Sequence, residues 1–344
     1  MEIKSKEVSW DVIGVRMYGT ITGPSDNKKH PAIVFVAGSG PTDRDWCSPL
    51  LRGENGSARL LADFFAENGF ITLRYDKFGS GPHVKEDLPK LIGKVSMQIH
   101  VDELEGAVNA LLSEKNVDKK NLFVLGNSEG TIHAVNYQLQ AKANRFKGLI
   151  LTGAPGRAIG EVARSQILNQ LNSLSGDSAF SRFFTKIGVI PDKKRFMESY
   201  DEATANFLAG KSIQSKLYGG KAIRRLLRSL ENPANQPFSR ELWTYDLTKN
   251  ISKIKSPILI LIGKKDIQTD WKIDGEALKK ATKGNPKVSF AFPNDSNHLL
   301  KYEKMPRNRL NARYVGRNYN SPRSYLDRGA LNAIYSWLIK QTKS

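Results

Sequence analysis

Apolar and polar positions follow two rhythms along this chain. Residues 12–22 set apolar side chains against small or polar ones at every second position, the pattern of a half-exposed antiparallel strand. After a turn at Gly23-Pro24 and a polar stretch, residues 32–36 (Ala-Ile-Val-Phe-Val) are apolar throughout, which predicts a strand buried on both faces and ending in Gly38-Ser39-Gly40-Pro41. Strands and helix-length segments then take turns: a helix near 57–68, a strand at 71–75, a helix near 96–115, a strand at 122–125, a helix near 129–141 and a strand at 148–151. At Pro155 the alternation stops. Residues 156–245 carry helical periodicity, as at 162–174 and 222–230, and no convincing strand. The first rhythm returns after Pro257, with strands at 258–262 and 288–292 and helices near 274–282 and 328–340, while the polar, Arg-rich stretch 303–327 reads as a surface loop or a mobile segment.

Strands separated by helix-sized segments predict βαβ units and a mostly parallel central sheet flanked by helices. The expected division is an α/β core of residues 1–155 and 246–344, interrupted by a helical insertion at 156–245 that forms a cap. A length of 344 residues and a hydrophobic share of 40% suit one sizeable core with a large insertion. The single cysteine, Cys47, excludes an intrachain disulfide and a cysteine-rich zinc site. Residues 1–11 mix charged and apolar side chains without an apolar core segment, so no signal peptide is visible and the expectation is cytoplasmic; a chain whose leader had been removed would read the same.

Charge complicates this picture. Lys and Arg number 53 against 34 Asp and Glu, a net charge of +19. The excess is spread out, with fourteen basic and eight acidic residues in 156–245 and ten basic and two acidic in 301–344. Such a field can attract nucleic acid, anionic lipid or an anionic substrate and give weak binding to anionic surfaces, and the plainer reading is a basic proteome or a solubility adaptation. No basic helix with interleaved aromatics accompanies it, so a nucleic-acid partner is not expected.

The chemistry concentrates where strands end. Gly126-Asn127-Ser128-Glu129-Gly130 places a serine between the strand at 122–125 and a following helix, with small residues on either side that let the chain turn sharply. A serine hydroxyl needs a base. Of the five histidines, His30, His83, His100 and His133 lie before a strand, in a loop or on helices, whereas His298 follows the last strand at the sheet edge where ligands bind in such folds. The acid that orients it is expected at Asp266, directly after the strand at 258–262, with Asp270 and Asp274 as alternatives and Asp295 close by in sequence. The order Ser128, Asp266, His298 is the one an α/β-hydrolase fold produces. Two backbone donors are needed for the developing oxyanion, and Glu129 and Ser39 are the candidates, with Gly38 and Gly40 permitting close approach. Gly38-Ser39-Gly40 matches neither a dinucleotide fingerprint nor a P-loop.

At these positions the chain resembles the α/β-hydrolase superfamily, and more narrowly the bacterial esterases of the serine aminopeptidase-like (S33, EstD-like) group. Four segments carry the resemblance: the first buried strand with residues 38–45 (Gly-Ser-Gly-Pro-Thr-Asp-Arg-Asp), residues 74–81 (Arg-Tyr-Asp-Lys-Phe-Gly-Ser-Gly), the elbow, and Asn297-His298. With Asp266 they span residues 31–298. The resemblance implies that Asp43 to Asp45 brace the oxyanion loop and that the insertion caps the active site. Three positions depart from the usual pattern: Ala37 and Asn127 stand where relatives carry histidine, and Phe78 where arginine is common. The reaction expected is hydrolysis of a carboxylic ester through an acyl-enzyme on Ser128, without metal or organic cofactor, on a small-molecule acyl ester. An acyl-CoA thioesterase or small-peptide aminopeptidase is the alternative on the same triad, and a non-catalytic binding protein the alternative from another class.

Overall fold

In a computed structural model, residues 2–174 and 192–343 are described; residues 175–191 of the expected helical insertion lie outside the described residues. The chain begins as a hairpin of β1 (Ile3–Val12) and β2 (Val15–Pro24), which pair antiparallel. Ile13 and Gly14 form its turn with φ of 47° and 80°, the two left-handed residues that match the twist of a tight hairpin. The strand expected at 12–22 is thus β2, displaced toward the C-terminus. β1 precedes it as an edge strand whose exposed run, Lys4 to Glu7, is charged and polar.

From His30 the expected alternation unfolds, with one helix, α2, that was not expected: β3 (His30–Val36), α1 (Ser57–Glu67), β4 (Ile71–Tyr75), α2 (Val84–Leu91), α3 (Met97–Leu112), β5 (Val117–Asn127), α4 (Glu129–Gln140) and β6 (Gly148–Thr152). The middle of the chain is helical among the described residues: α5 (Ile159–Leu174), α6 (Lys193–Leu208), α7 (Gly220–Leu227) and α8 (Phe238–Trp243). Then follow α9 (Thr248–Ile251), β7 (Ile258–Leu261), α10 (Ile273–Ala281), β8 (Val288–Ala291), α11 (Ala312–Asn318) and α12 (Arg328–Lys343). The stretch 303–327 is therefore not a plain loop. It contains α11, with the Asn311 side chain accepting from the Tyr314 N–H as its N-cap.

All eight strands form one sheet in the order β1-β2-β4-β3-β5-β6-β7-β8, parallel from β4 onward, with β2 antiparallel to β4. The middles of the central strands, residues 32–36, 122–125, 149–151 and 258–261, are apolar throughout because both faces are covered there. On one face Ile33, Phe35, Phe123, Leu125, Ile150, Leu259 and Leu261 pack with Leu61 and Phe65 of α1 and with Ile334, Trp337 and Leu338 of α12. Burying a side chain of this kind contributes roughly 1.5–3 kcal/mol.

The chain divides into two compact units. The first comprises residues 1–90, 98–157 and 246–344 and holds the sheet; the second comprises Leu91–Met97 and Ala158–Tyr245. The second unit has its own core, in which Phe196, Met197, Tyr200, Phe207, Ile213, Ile223, Leu227 and Trp243 meet. Among the described residues no helix is long and apolar enough to cross a membrane.

Candidate active site

Ser128 sits between the end of β5 and the start of α4 with φ 55° and ψ −121°, a conformation L-residues rarely adopt and the surroundings must impose. Close packing imposes it here: a Cβ on Gly126 would lie 2.6 Å from the Gly130 carbonyl oxygen, and one on Gly130 would lie 2.3 Å from that of Val36. The Ser128 N–H donates to the Thr152 carbonyl at 2.8 Å on neighbouring β6. Its carbonyl accepts from the Thr131 hydroxyl at 2.6 Å and the Thr131 N–H at 3.0 Å.

His298, in the loop after β8, donates from Nδ1 to Asp266 Oδ2 at 2.7 Å, and both side chains are buried. A carboxylate that accepts this bond sets the shared proton on Nδ1, which makes Nε2 the ring nitrogen that can serve as base. Asp266 is fixed in turn by the N–H groups of Gln268 (2.7 Å) and Thr269 (2.9 Å), both donating to its Oδ1. The imidazole lies against the backbone of Gly153, just past β6, where a Cβ would fall 2.9 Å from His298 Cε1. Asn127, at the histidine position of the family pattern, donates from Nδ2 to the His298 carbonyl at 3.0 Å and to Thr152 Oγ1 at 3.2 Å. That amide joins the serine's strand directly to the histidine's loop.

The alternative acids lie elsewhere. Asp270 pairs with Arg307 at 2.8 Å; its carboxyl is held below the ordinary range by backbone N–H donors and Arg307, which together outweigh burial. Asp274 is fully buried on Arg157 (2.9 Å), and half-exposed Asp295 faces Lys265 at 3.9 Å. The other histidines are likewise engaged away from Ser128: His30 with Asp26, His83 stacked on Tyr18, His100 with Glu103 and His133 with Glu129.

Of the expected oxyanion residues, Gly38 is buried against the serine, its position such that a Cβ would lie 3.2 Å from Ser128 Cβ. Ser39 and Gly40 are exposed, and Gly40 has φ 76°. Glu129 is the first residue of α4, so its N–H has no intrahelical acceptor. The acidic run beyond the loop is tightly braced. Asp43 accepts from the N–H groups of Asp45 (2.9 Å) and Cys47 (2.8 Å), Arg44 grips Asp76 at 2.7 Å, and Arg74 grips Asp45 at 2.6 Å. Burial raises the Asp43 carboxyl to about 6.

Sequence reasoning missed how the acid and base loops are held. Arg307, in the Arg-rich stretch, donates from Nε to the Asp266 carbonyl and from its terminal nitrogen to Asp270, each at 2.8 Å. Lys301, three residues past His298, is fully buried. Its ammonium donates to the Asn55 carbonyl, to the Tyr319 carbonyl at 2.8 Å, to Ser324 Oγ at 3.0 Å and to Asn320 Oδ1 at 3.3 Å. Burial pushes it down to about 8. The backbone between is a closed turn in which Asn297 Oδ1 accepts from the N–H groups of Leu299 (2.9 Å) and Lys301 (3.0 Å). The basic count of this stretch was the only sequence signal, and it did not say what the charges touch.

Comparison with known proteins bears on the family and the fold. Residues 54–227 match the family model described as serine aminopeptidase, S33; Asp266 and His298 lie beyond the matched segment. Esterase EstD of Thermotoga maritima is 23% identical over 330 residues, covering 94% of this chain, which in turn spans 65% of EstD. A proline iminopeptidase of Flavobacterium johnsoniae is 25% identical over 252 residues, 70% of this chain and 77% of that protein. Among solved structures, Est1E of Butyrivibrio proteoclasticus with ferulic acid bound aligns with a TM-score of 0.54 at 14% identity, covering 98% of this chain and all of that one. A proline iminopeptidase of Mycobacterium smegmatis aligns at 0.52 with 15% identity over 86% of this chain and 92% of that one. At such identities the structural likeness speaks for the fold, which is that of the α/β-hydrolases.

Proposed function

The chain belongs to the serine aminopeptidase S33 family of α/β-hydrolases, and from that premise we propose that it hydrolyses carboxylic esters through an acyl-enzyme on Ser128. The observation that carries the reading is the buried 2.7 Å contact between His298 Nδ1 and Asp266, in a loop tied through Asn127 to the strand bearing Ser128. Ser128 Oγ attacks the ester carbonyl while His298 Nε2 accepts its proton, and Asp266 stabilises the imidazolium that forms. The N–H groups of Ser39 and Glu129 hold the oxyanion of the tetrahedral intermediate. The alcohol leaves with the proton from His298, and a water molecule activated by the same nitrogen releases the acid.

An ester is preferred over a peptide because the likeness to an esterase runs over 94% of the chain, against 70% for the iminopeptidase, at nearly equal identity. Ser128→Ala should abolish hydrolysis of p-nitrophenyl butyrate and labelling by a fluorophosphonate probe. Activity that survives the substitution would remove Ser128 from the reaction. The aminopeptidase reading, supported by the family description and two iminopeptidase relatives, wins if prolyl p-nitroanilide is cleaved with a higher kcat/KM than any ester of a chain-length series. A thioester series over acyl-CoA substrates tests the remaining member of the group.

A further inference from the structure

The two backbone donors of the proposed oxyanion site belong to segments far apart in sequence, and both are tied to one buried ammonium. Lys77 follows β4 with its side chain 7% exposed. Its Nζ donates to the Gly38 carbonyl at 2.5 Å and to Glu129 Oε1 at 2.9 Å. In a planar trans peptide the carbonyl of one residue and the N–H of the next point in opposite directions. With the Gly38 carbonyl drawn to Lys77, the Ser39 N–H is turned away from it, at an exposed position where no described residue accepts it. The Thr42 hydroxyl donates to the Ser39 carbonyl and the Thr42 N–H to the Gly40 carbonyl, each at 2.8 Å, which fixes the peptides that follow but not the Gly38–Ser39 plane. A flipped Gly38–Ser39 peptide would give up a charge-assisted hydrogen bond and present a carbonyl oxygen in place of a donor.

The ammonium is itself held in a closed circuit. Glu129 Oε1 also accepts from His133 Nε2 at 3.3 Å; the His133 ring lies on that of His100 with centroids 4.5 Å apart; His100 Nδ1 bonds Glu103 at 2.5 Å; and Glu103 accepts the N–H of Phe78, the residue after Lys77, at 2.5 Å. Burial and the neighbouring His100 push His133 down to about 4, so it is neutral at ordinary pH. Burial alone would raise the Glu129 carboxyl, but Lys77 and the His133 hydrogen bond reverse this and hold it well below the usual carboxylate range. Lys77 and Glu129 thus face one another as a buried ion pair, anchored at both ends.

We propose that Lys77 is a positioning residue for the reaction: its ammonium sets the Gly38–Ser39 peptide with the Ser39 N–H toward the oxyanion and, through Glu129, locks that donor to the second one. The proposal rests on the serine-hydrolase reading of Ser128.

The test compares Lys77→Met, Lys77→Arg and the double variant Lys77→Met/Glu129→Gln, which leaves no unpaired buried carboxylate, after each has been shown to fold by circular dichroism and thermal melting. With p-nitrophenyl butyrate, Lys77→Met and the double variant should lose on the order of 100-fold in kcat, the scale of one oxyanion donor, with KM changed by no more than about twofold. The inhibition constant of a trifluoromethyl ketone, whose adduct carries the oxyanion, should rise by the factor by which kcat/KM falls. Lys77→Arg, which keeps a cation for both acceptors, should recover most of the loss. A folded double variant with wild-type kcat and wild-type ketone affinity overturns the proposal, as does a variant whose KM rises while kcat holds. Ser128→Ala assayed alongside separates the two readings: if it is inactive while the double variant is fully active, only the role of Lys77 fails, whereas an active Ser128→Ala removes the serine reading and this proposal with it.

Discussion

The nucleophile end of the site, after β5, and the base end, after β7 and β8, are separated by β6 in the sheet and are secured in different ways. At the elbow, position is a matter of backbone volume: Gly126, Gly130 and the ends of β3 and β5 approach so closely that Ser128 has one conformation open to it, strained as it is. The base end also has close backbone packing, a Cβ on Gly263 falling 2.0 Å from the Ser296 carbonyl oxygen, but to this it adds a polar brace. Asp266 and His298 lie on loops, and polar side chains exchanged between those loops and the stretch after His298 fix them: Arg307 to the Asp266 carbonyl, Lys265 to the Met305 carbonyl at 2.8 Å, and Lys301 to Asn55 and Tyr319. Leu299, Val315 and Tyr319 add a small apolar cluster behind them. Steric exclusion is local and abrupt, whereas a hydrogen-bonded brace is distributed and gives way by degrees.

The sharpest break in this contrast is Gly130→Ala. The added methyl would meet the carbonyl oxygens of Val36 and Ala37 at 2.3 and 2.7 Å, and both are strand-end backbone with nowhere to go. Overpacking of this kind should cost about 3 kcal/mol or more, read from denaturant midpoints, and displacing the serine should lower kcat/KM by at least ~100-fold. A folded Gly130→Ala enzyme with near-normal activity would show the elbow to be softer than its packing implies.

Lys301→Met probes the other end. It removes a cation whose acceptors are all neutral, leaving buried carbonyls without a donor, for a loss of about 2 kcal/mol and roughly tenfold in kcat from a displaced His298. The pH dependence identifies the group. Lys301 gives up its proton near pH 8 when folded, against an ordinary value of 10.5. In the window between, the unfolded chain holds more protons than the folded one, so wild-type stability gains from this residue as pH rises. The stability gap between wild type and Lys301→Met should therefore stay level below pH 8 and widen toward pH 10. A gap that narrows there would mean that the folded surroundings favour the ammonium over the neutral amine, and that burial does not lower its titration.

The same division explains what the sequence made legible. Residues 32–36 of β3, 122–125 of β5, 149–151 of β6 and all of β7 show as unbroken apolar runs because both faces of the sheet are covered there, whereas the polar start of β5 at 117–121 does not show, and the elbow shows because its steric demand falls on neighbouring residues, Gly126 to Gly130. β1 was missed since Lys4 to Glu7 sit on an open edge that no core patterns. α11 was missed because its seven residues bury only Val315. The brace around His298 could not be read at all: Arg307 meets Asp266 across 41 positions and Lys301 meets Asn55 across 246, and no periodicity links such partners. Asn127 is intermediate, visible as a departure from the family pattern but not as the link to the His298 carbonyl that the fold makes of it.

Arg307→Ala is the mildest of the changes and separates the strands of the brace. Its guanidinium serves two acceptors, the neutral Asp266 carbonyl and the Asp270 carboxylate, and it is about one-third exposed, at 35%. Asp266 would keep the N–H donors of Gln268 and Thr269 and its bond to His298, so the loop loses one tether among several. Stability should fall by no more than about 1 kcal/mol, the range of exposed ion pairs, and kcat by less than about tenfold. Salt tells the two contacts apart, since screening weakens the Asp270 pair far more than the bond to the carbonyl. If the ratio of wild-type to variant activity is unchanged as salt rises, the Asp266 carbonyl is the contact that matters; if it shrinks toward one, the ion pair is. A loss as large as that of Lys301→Met would mean that the tethers act as a single unit, and the distributed character assigned to this end of the site would be wrong.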